Sequence, residues 1–238
     1  MTLDFKSLDF RDRNVVVTGG TGALGRAVVG ALLEAGARCH VSYMVETEAQ
    51  SFPFRDRATL HAVGDLADEA TVTKLYDAVP GLWASIHLAG GFAMAGIADT
   101  GKAALMAQVD ANFASCFLCC RAAVTAIRNT GSGGRVVNVA ARPGLEWRSG
   151  AGMVAYAASK AAVAAMTVAL AEEVARDGIL VNAVAPSIMD TPANRRAMPD
   201  ADHAAWPKVE EVAATILFLA SPANAVTRGG VVPVYGKV

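Results

Sequence analysis

Tyr156 and Lys160 bracket the segment Tyr-Ala-Ala-Ser-Lys at the start of a long helical pattern, four residues apart. That spacing puts both side chains on one helix face. A free phenol has a pKa of roughly 10, so at neutral pH it is a poor proton shuttle. A lysine cation beside it favours the phenolate and lowers that value. A phenol tuned in this way can give a proton to a substrate while a hydride arrives from elsewhere. Tyrosine and lysine on one helical face are common at surfaces, so the pair carries chemistry only where a dinucleotide site precedes it.

One does. Asn14-Val-Val-Val-Thr18 is a short apolar run that reads as a buried strand. Gly19-Gly-Thr-Gly-Ala-Leu-Gly25 follows, then a helical pattern through Ala35 closed by Gly36. A strand, a glycine loop and a helix N-terminus together make an anion site, because the backbone can approach a pyrophosphate and the helix end offers free N–H groups. Gly19, Thr21, Ala23, Leu24 and Gly25 are the expected contacts. The second strand is Arg38–Ser42. A carboxylate at its end would read the ribose hydroxyls, and a basic residue would welcome a 2′-phosphate. Tyr43 and Met44 stand there instead, so NAD and NADP both remain open, with discrimination within about tenfold. Arg26, Arg55 and Arg57 are the basic residues within range of a 2′-phosphate. The third strand, Thr59–Val63, runs into Gly64, Asp65 and Leu66, where Asp65 can accept from an adenine amino group. Asp68 is the better cap for the helix that follows. The fourth strand, Ala84–Leu88, opens into Ala89, Gly90 and Gly91, where the backbone can pass close to a ligand. Phe92 lies just beyond, at the carboxyl end of a strand where ligands bind in open α/β sheets. His87 reads as a packed residue.

The remaining elements position the pair. A helical pattern from Lys102 to Asn129 carries Asp110 and Asn112. The fifth strand, Arg135–Val139, leads to a loop, 140–152, with Arg142, Trp147 and Ser149. The helix from Val154 to Asp177 holds Tyr156 and Lys160. The sixth strand, Leu180–Val184, leads to Pro186 and Ser187. Residues 188–207 read as an irregular lid, followed by a helix over Val209–Ala220 and a last strand over Val231–Val234. Strands alternate with helices throughout, which predicts a single α/β domain over 1–238 with a doubly wound, mostly parallel seven-stranded sheet.

Composition narrows the function classes. The chain has 238 residues, 53% hydrophobic and 18% charged, enough for one well-buried domain. A formal charge of −1 gives no electrostatic case for nucleic acid or an anionic membrane. No apolar run approaches the ~18 residues of a spanning helix, and Met1–Arg13 lacks a signal-peptide apolar core. Three of the four cysteines, Cys116, Cys119 and Cys120, share one helical pattern. With no second pair and no histidine at ligand spacing, they read as packing residues. No metal is expected, and the cysteine use suits a reducing cytoplasm.

The chain resembles the short-chain dehydrogenase/reductases along essentially its whole length. Thr18-Gly19 to Gly25 is similar to that family's T-G-x-x-x-G-x-G, with Ala23 in place of the middle glycine. Asp65 matches its adenine-contacting aspartate. Leu88-Ala89-Gly90 resembles its N-A-G with the asparagine lost. Asn112 matches a helix asparagine that holds a water near the lysine, and Tyr156 and Lys160 match the catalytic pair. Pro186-Ser187 with Thr191 resembles P-G-x-x-x-T, which closes over the nicotinamide. The resemblance implies an NAD(P)-dependent oxidoreductase and a homodimer or homotetramer through the helices at 102–129 and 154–177.

One departure bears on the substrate. The family's catalytic serine follows the fifth strand, and here Ala141 occupies that position. Losing one alkoxide donor can cost on the order of 10²–10³ in rate. Dihydropteridine reductases, which are members of the same family, resemble this chain in lacking the serine. Their lid resembles Asp190–Trp206, including Met198, and their Gly-Gly-Trp resembles Gly90-Gly91-Phe92. That implies reduction of a quinonoid dihydropterin, in which no isolated alkoxide develops. Two other readings are a carbonyl reductase or alcohol dehydrogenase with Ser149 or Arg142 replacing the serine, and a nucleotide-binding regulatory protein. Phe92, Ala141, Trp147, Ser149, Met198 and Trp206 are the expected substrate contacts.

Overall fold

A computed structural model describes residues 8–237. Its centre is a seven-stranded sheet in the order β3-β2-β1-β4-β5-β6-β7, with every neighbouring pair parallel. In chain order the elements are β1 (Asn14–Thr18), α1 (Ala23–Glu34), β2 (Arg38–Tyr43), α2 (Glu46–Gln50), β3 (Thr59–Ala62), α3 (Glu69–Asp77) and β4 (Leu82–His87). Then come α4 (Lys102–Val109), α5 (Ser115–Arg128), β5 (Gly134–Val139), α6 (Arg142–Leu145), α7 (Val154–Glu173) and β6 (Ile179–Pro186). The chain closes with α8 (Pro192–Ala197), α9 (Val209–Ala220) and β7 (Val231–Val234).

The strands form because they are apolar on both sides: Val15, Val16 and Val17 are fully buried, alternate residues entering opposite cores. On one face, α1 and α9 cover the sheet with Val28, Leu32, Val212 and Ile216. On the other, α3, α5 and α7 bury Val72, Leu75, Cys120, Ile127 and Val163. The topological break lies between β1 and β4, which puts the carboxyl ends of those strands at the crevice where a nucleotide can enter.

Four local features depart from the sequence reading. The helix expected over 102–129 is interrupted by a π turn at Asp110–Ala114, a wide turn that lets Asn112 face inward. The segment 188–207 is not wholly irregular: Thr191 caps α8 by accepting from the Asn194 N–H, and a 3₁₀ turn follows at His203–Ala205. The short helices α2 and α6 were invisible because neither is long enough to show a period. The fourth departure corrects the membrane reading. Lys102–Arg128 and Val154–Glu173 are long and apolar enough to span, with mean hydropathies of 1.4 and 1.5. Here α5 packs against β4 and α7 against β6.

The edge strands carry a histidine relay. Asn14 donates its amide to the Pro80 carbonyl at 2.7 Å, which leaves its oxygen to accept from His40 Nε2 at 3.3 Å. His40 Nδ1 must then accept from His61 Nε2, 3.3 Å away. This arrangement needs the His40 ring neutral, and a charge on His61 would sit beside it. Burial lowers the His40 pKa, with the His61 charge adding to it, and burial lowers that of His61. Below the ordinary histidine value of 6.5, the unfolded chain therefore takes up protons that the folded chain resists. Stability from this pair is present above that pH and lost as pH falls through the folded values. The urea midpoint should drop between pH 7.5 and 5.5, and His61→Gln should flatten the drop; an unchanged slope in the variant would assign the pH effect elsewhere.

Candidate active site

The glycine loop is held by sterics. Gly19 has φ +63, and a Cβ there would lie 2.9 Å from the Ala89 backbone. A Cβ on Gly25 would meet the Gly20 backbone at 2.5 Å, so α1 can pack this close only with glycine. The cap position of α1 is Gly22, which supplies no side-chain cap. The first N–H groups of α1 are thus left for an external acceptor, the arrangement a pyrophosphate requires. A cavity of about 390 Å³ opens beside the loop, lined by Gly19, Thr21, Tyr43, Asp65, Leu66, Ala89 and Gly90 among others. Asp65 accepts from the Ala67 N–H at 2.8 Å, and Asp68, not Asp65, caps α3, as the sequence indicated. Ala23 and Leu24 begin α1.

Asn112 ties the crevice floor together. Its oxygen accepts from the Gly91 N–H at 3.0 Å, and its amide donates to the Gly91 carbonyl at 3.0 Å and to the Gln108 carbonyl at 3.1 Å. The side chain is 1% exposed, so these bonds are not shared with bulk water. A Cβ on Gly90 would lie 2.7 Å from the Asn112 oxygen and 3.5 Å from Lys160 Nζ. Asn112, Gly90 and Lys160 therefore meet at one point.

Lys160 is buried and donates to the Val139 carbonyl at 2.9 Å, so β5 fixes where the ammonium sits. Tyr156, one turn earlier on α7, is half-buried, with Phe92 edge-on to its ring at 5.0 Å between centroids. The tuning differs from the sequence expectation. Burial pushes the Tyr156 phenol up to about 12, and burial pushes Lys160 down to about 8, opposed by Cys116. Here desolvation outweighs any pull of the lysine on the phenol. Tyr156 holds its proton firmly at neutral pH, the state an acid needs before it donates.

Ala141 is buried at 5%, directly after β5. Both proposed replacements for a serine are at least partly engaged. Ser149 donates to the Glu146 carbonyl at 2.8 Å, and Arg142 Nε is paired with Glu146 at 2.6 Å, its guanidinium 5.0 Å from the Tyr235 ring. Trp147 is 77% exposed and anchored by its indole N–H to the Gly144 carbonyl. In the lid, Arg195 clamps Asp190 through two bonds of 2.6 and 2.8 Å. Met198 is half-buried. Trp206 is buried and lies tilted against His203, 4.6 Å between ring centroids, so it serves the base of this segment and not an open contact surface. Pro186 ends β6, and Ser187 donates to the Tyr235 carbonyl. Lys237 N–H in turn donates to Ala205 at 2.9 Å, joining the lid to the segment after β7.

The cysteine reading holds in part. All four cysteines are buried free thiols. But the fold does bring a histidine to them: His87 Nδ1 lies 3.5 Å from Cys120 Sγ and 4.0 Å from Cys116 Sγ. Asn138 fills the centre of this group, its oxygen 2.8 Å from His87 Nδ1 and within 3.4 Å of both thiols. Tyr76 and Ser85 engage the other ring nitrogen. It is a satisfied polar network in the core, and His87 is the packed residue the sequence suggested.

The family model for short chain dehydrogenase matches residues 13–202. Galactitol 2-dehydrogenase of Rhizobium johnstonii is 35% identical, covering 92% of this chain and 92% of that protein. The NADPH-dependent aldehyde reductase-like protein, chloroplastic, of Arabidopsis thaliana is 30% identical over 77% of this chain and 75% of its own length. A solved short-chain type dehydrogenase/reductase from Mycobacterium ulcerans superposes with a TM-score of 0.85 at 23% identity, covering 96% of this chain and 90% of that one. The chain belongs to the short-chain dehydrogenase/reductase family, whose members are oxidoreductases that use NAD or NADP. The relatives' names, a polyol dehydrogenase and an aldehyde reductase-like protein, do not carry the narrower likeness to dihydropteridine reductases.

Tyr156→Phe should lower kcat by ~10²–10⁴ while cofactor affinity stays nearly unchanged. Lys160→Ala should weaken both, because it empties a buried cation position beside Gly90 and Asn112. Stopped-flow turnover together with cofactor titration reads the split. Equal activity in Tyr156→Phe would move the acid role to another group.

Proposed function

We propose that the protein transfers a hydride between a nicotinamide dinucleotide and a flat, conjugated, electron-poor ring, with a quinonoid dihydropterin as the leading candidate. The bound nicotinamide supplies or takes the hydride. The chain's residues do the rest. Gly19, Thr21, Ala23, Leu24 and Gly25 receive the pyrophosphate with the free N–H groups of α1. Tyr43, Asp65, Leu66, Ala89 and Gly90 flank the adenosine and ribose. Pro186, Ser187 and Thr191 border the nicotinamide end. Tyr156 gives the proton, Lys160 holds the ribose and a positive field, and Asn112 fixes the floor beneath them.

The observation that carries this reading is at Ala141. A buried methyl stands where a second hydroxyl would hold an isolated alkoxide, the Ser149 hydroxyl is donated to the Glu146 carbonyl, and Arg142 spends its Nε on the Glu146 carboxylate. A ring whose charge is delocalised needs only one acid. Exposed Phe92, edge-on to Tyr156, supports it with an aromatic surface at the mouth, where stacking contributes ~0.5–1.5 kcal/mol beyond burial. The second reading is an aldehyde or secondary alcohol held by Tyr156 alone, favoured by the activities named for the two relatives. Subunit contacts through α4, α5 and α7 belong to the same proposal, since Leu105, Met106, Phe117 and Val168 are exposed there. A cytoplasmic location fits the four free thiols.

A paired assay of wild type and Ala141→Ser separates the readings. Wild type should turn over the quinonoid ring faster than simple ketones, aldehydes or polyols. Ala141→Ser should raise carbonyl turnover by up to roughly 10²–10³-fold, the size of one alkoxide donor, without helping the ring. A wild type that prefers a polyol or aldehyde, and keeps that activity in Ser149→Ala, establishes the second reading.

A further inference from the structure

The cavity beside the glycine loop has a feature that no residue at the end of β2 reveals. Glu48, in α2 just past the end of β2, returns to the loop: Thr21 Oγ1 donates to Glu48 Oε2 at 2.7 Å. Glu48 also lines the cavity, beside Tyr43, Met44 and Val45. Among the described residues only one of its two carboxylate oxygens is engaged. Its neighbour Glu46 sits against the Tyr43 hydroxyl, and together with burial holds that phenol above its ordinary pKa. Asp65 is the other acidic residue of the lining, which contains no lysine or arginine.

The basic residues within sequence reach are placed elsewhere. Arg26 spends its guanidinium on the Thr21 carbonyl at 2.8 Å, the Ser51 carbonyl at 3.2 Å, the Ser51 hydroxyl at 2.9 Å and the Glu48 carbonyl at 3.4 Å. It staples α2 under the loop, and in doing so holds Glu48 at the rim. Arg57 turns to the Leu33 carbonyl at 3.5 Å. Arg55 is exposed and outside the cavity lining.

We propose that Glu48, presented by α2 and braced by Thr21 and Arg26, reads the adenosine ribose in place of the absent carboxylate on β2 and makes the enzyme selective for NAD(H) over NADP(H). A carboxylate at this rim accepts from a ribose hydroxyl, and it repels a 2′-phosphate, which carries close to two negative charges. At short range with an effective dielectric near 20, one such like-charge pair is worth up to a few kcal/mol, enough for about 100-fold discrimination. This replaces the tenfold limit inferred from Tyr43 and Met44 alone. The selectivity is set by tertiary placement, with the reading group five positions past the β2 end and on a different element.

The test measures binding and needs no substrate, so it stands apart from the reading of the substrate ring. Calorimetric affinities are compared for ADP against 2′,5′-ADP, and for NADH against NADPH, in wild type, Glu48→Gln and Thr21→Val. Wild type should favour the ligands without the 2′-phosphate by about 100-fold. Glu48→Gln keeps the acceptor for Thr21 and removes the charge. It should tighten 2′,5′-ADP and NADPH at least 10-fold while changing ADP and NADH less than threefold. Thr21→Val removes the brace and should narrow the gap between ligands with and without the 2′-phosphate. A Glu48→Gln protein with an unchanged affinity ratio would show that Glu48 is only a strut for the loop and would overturn the proposal. So would a wild type that prefers NADPH and loses that preference in Arg26→Ala, which would make Arg26 the reader.

Discussion

The site depends on one side-chain amide. Asn112 accepts from and donates to the same backbone residue, Gly91, in the manner of a strand neighbour, and reaches it because a π turn swings the helix inward. That contact fixes the loop after β4 against the helix carrying the polar floor. It also requires a hydrogen at the Gly90 α-carbon, since a methyl there would strike the amide oxygen. Lys160 is then located from two directions, by the Val139 carbonyl on β5 and by the space left beside Gly90. A buried amide left without partners costs about 1–3 kcal/mol, so the sheet edge, the helix and the lysine are held in register by a bond that has no local substitute.

Much of the architecture was readable from the chain because its signals are local. The valine run of β1, the glycines that must permit φ > 0 or close packing, and the four-residue spacing of Tyr156 and Lys160 each act within a few residues. The site's electrostatics were not readable in that way. Four residues of spacing suggested a lysine lowering a phenol, but the pKa values follow burial, which only the assembled sheet and helices determine. Glu48 escaped for a related reason: it lies on a five-residue helix without periodicity, and meets Thr21 across 27 positions. His87, Asn138 and the two thiols meet from three separate elements, so no spacing rule could have joined them.

Position 141 shows how one missing group redirects the reasoning about a whole pocket. The methyl is buried. The neighbouring polar groups have turned to each other, with Arg142, Glu146 and Ser149 forming a closed set near Tyr235.

The lid's two ends are unequal. Its entry is held at Ser187, whose hydroxyl donates to the Tyr235 carbonyl, and its exit is held near Ala205 by the Lys237 amide. Both anchors lie on the segment that follows β7, so the lid and that segment form a single mechanical unit although 48 residues separate the first pair in sequence. Opening the lid therefore means unzipping or carrying along the end of the sheet's last strand. A graft or fusion placed close after residue 237 would load the lid directly, whereas one before β1 would pull on a strand at the opposite, amino-terminal rim of the sheet.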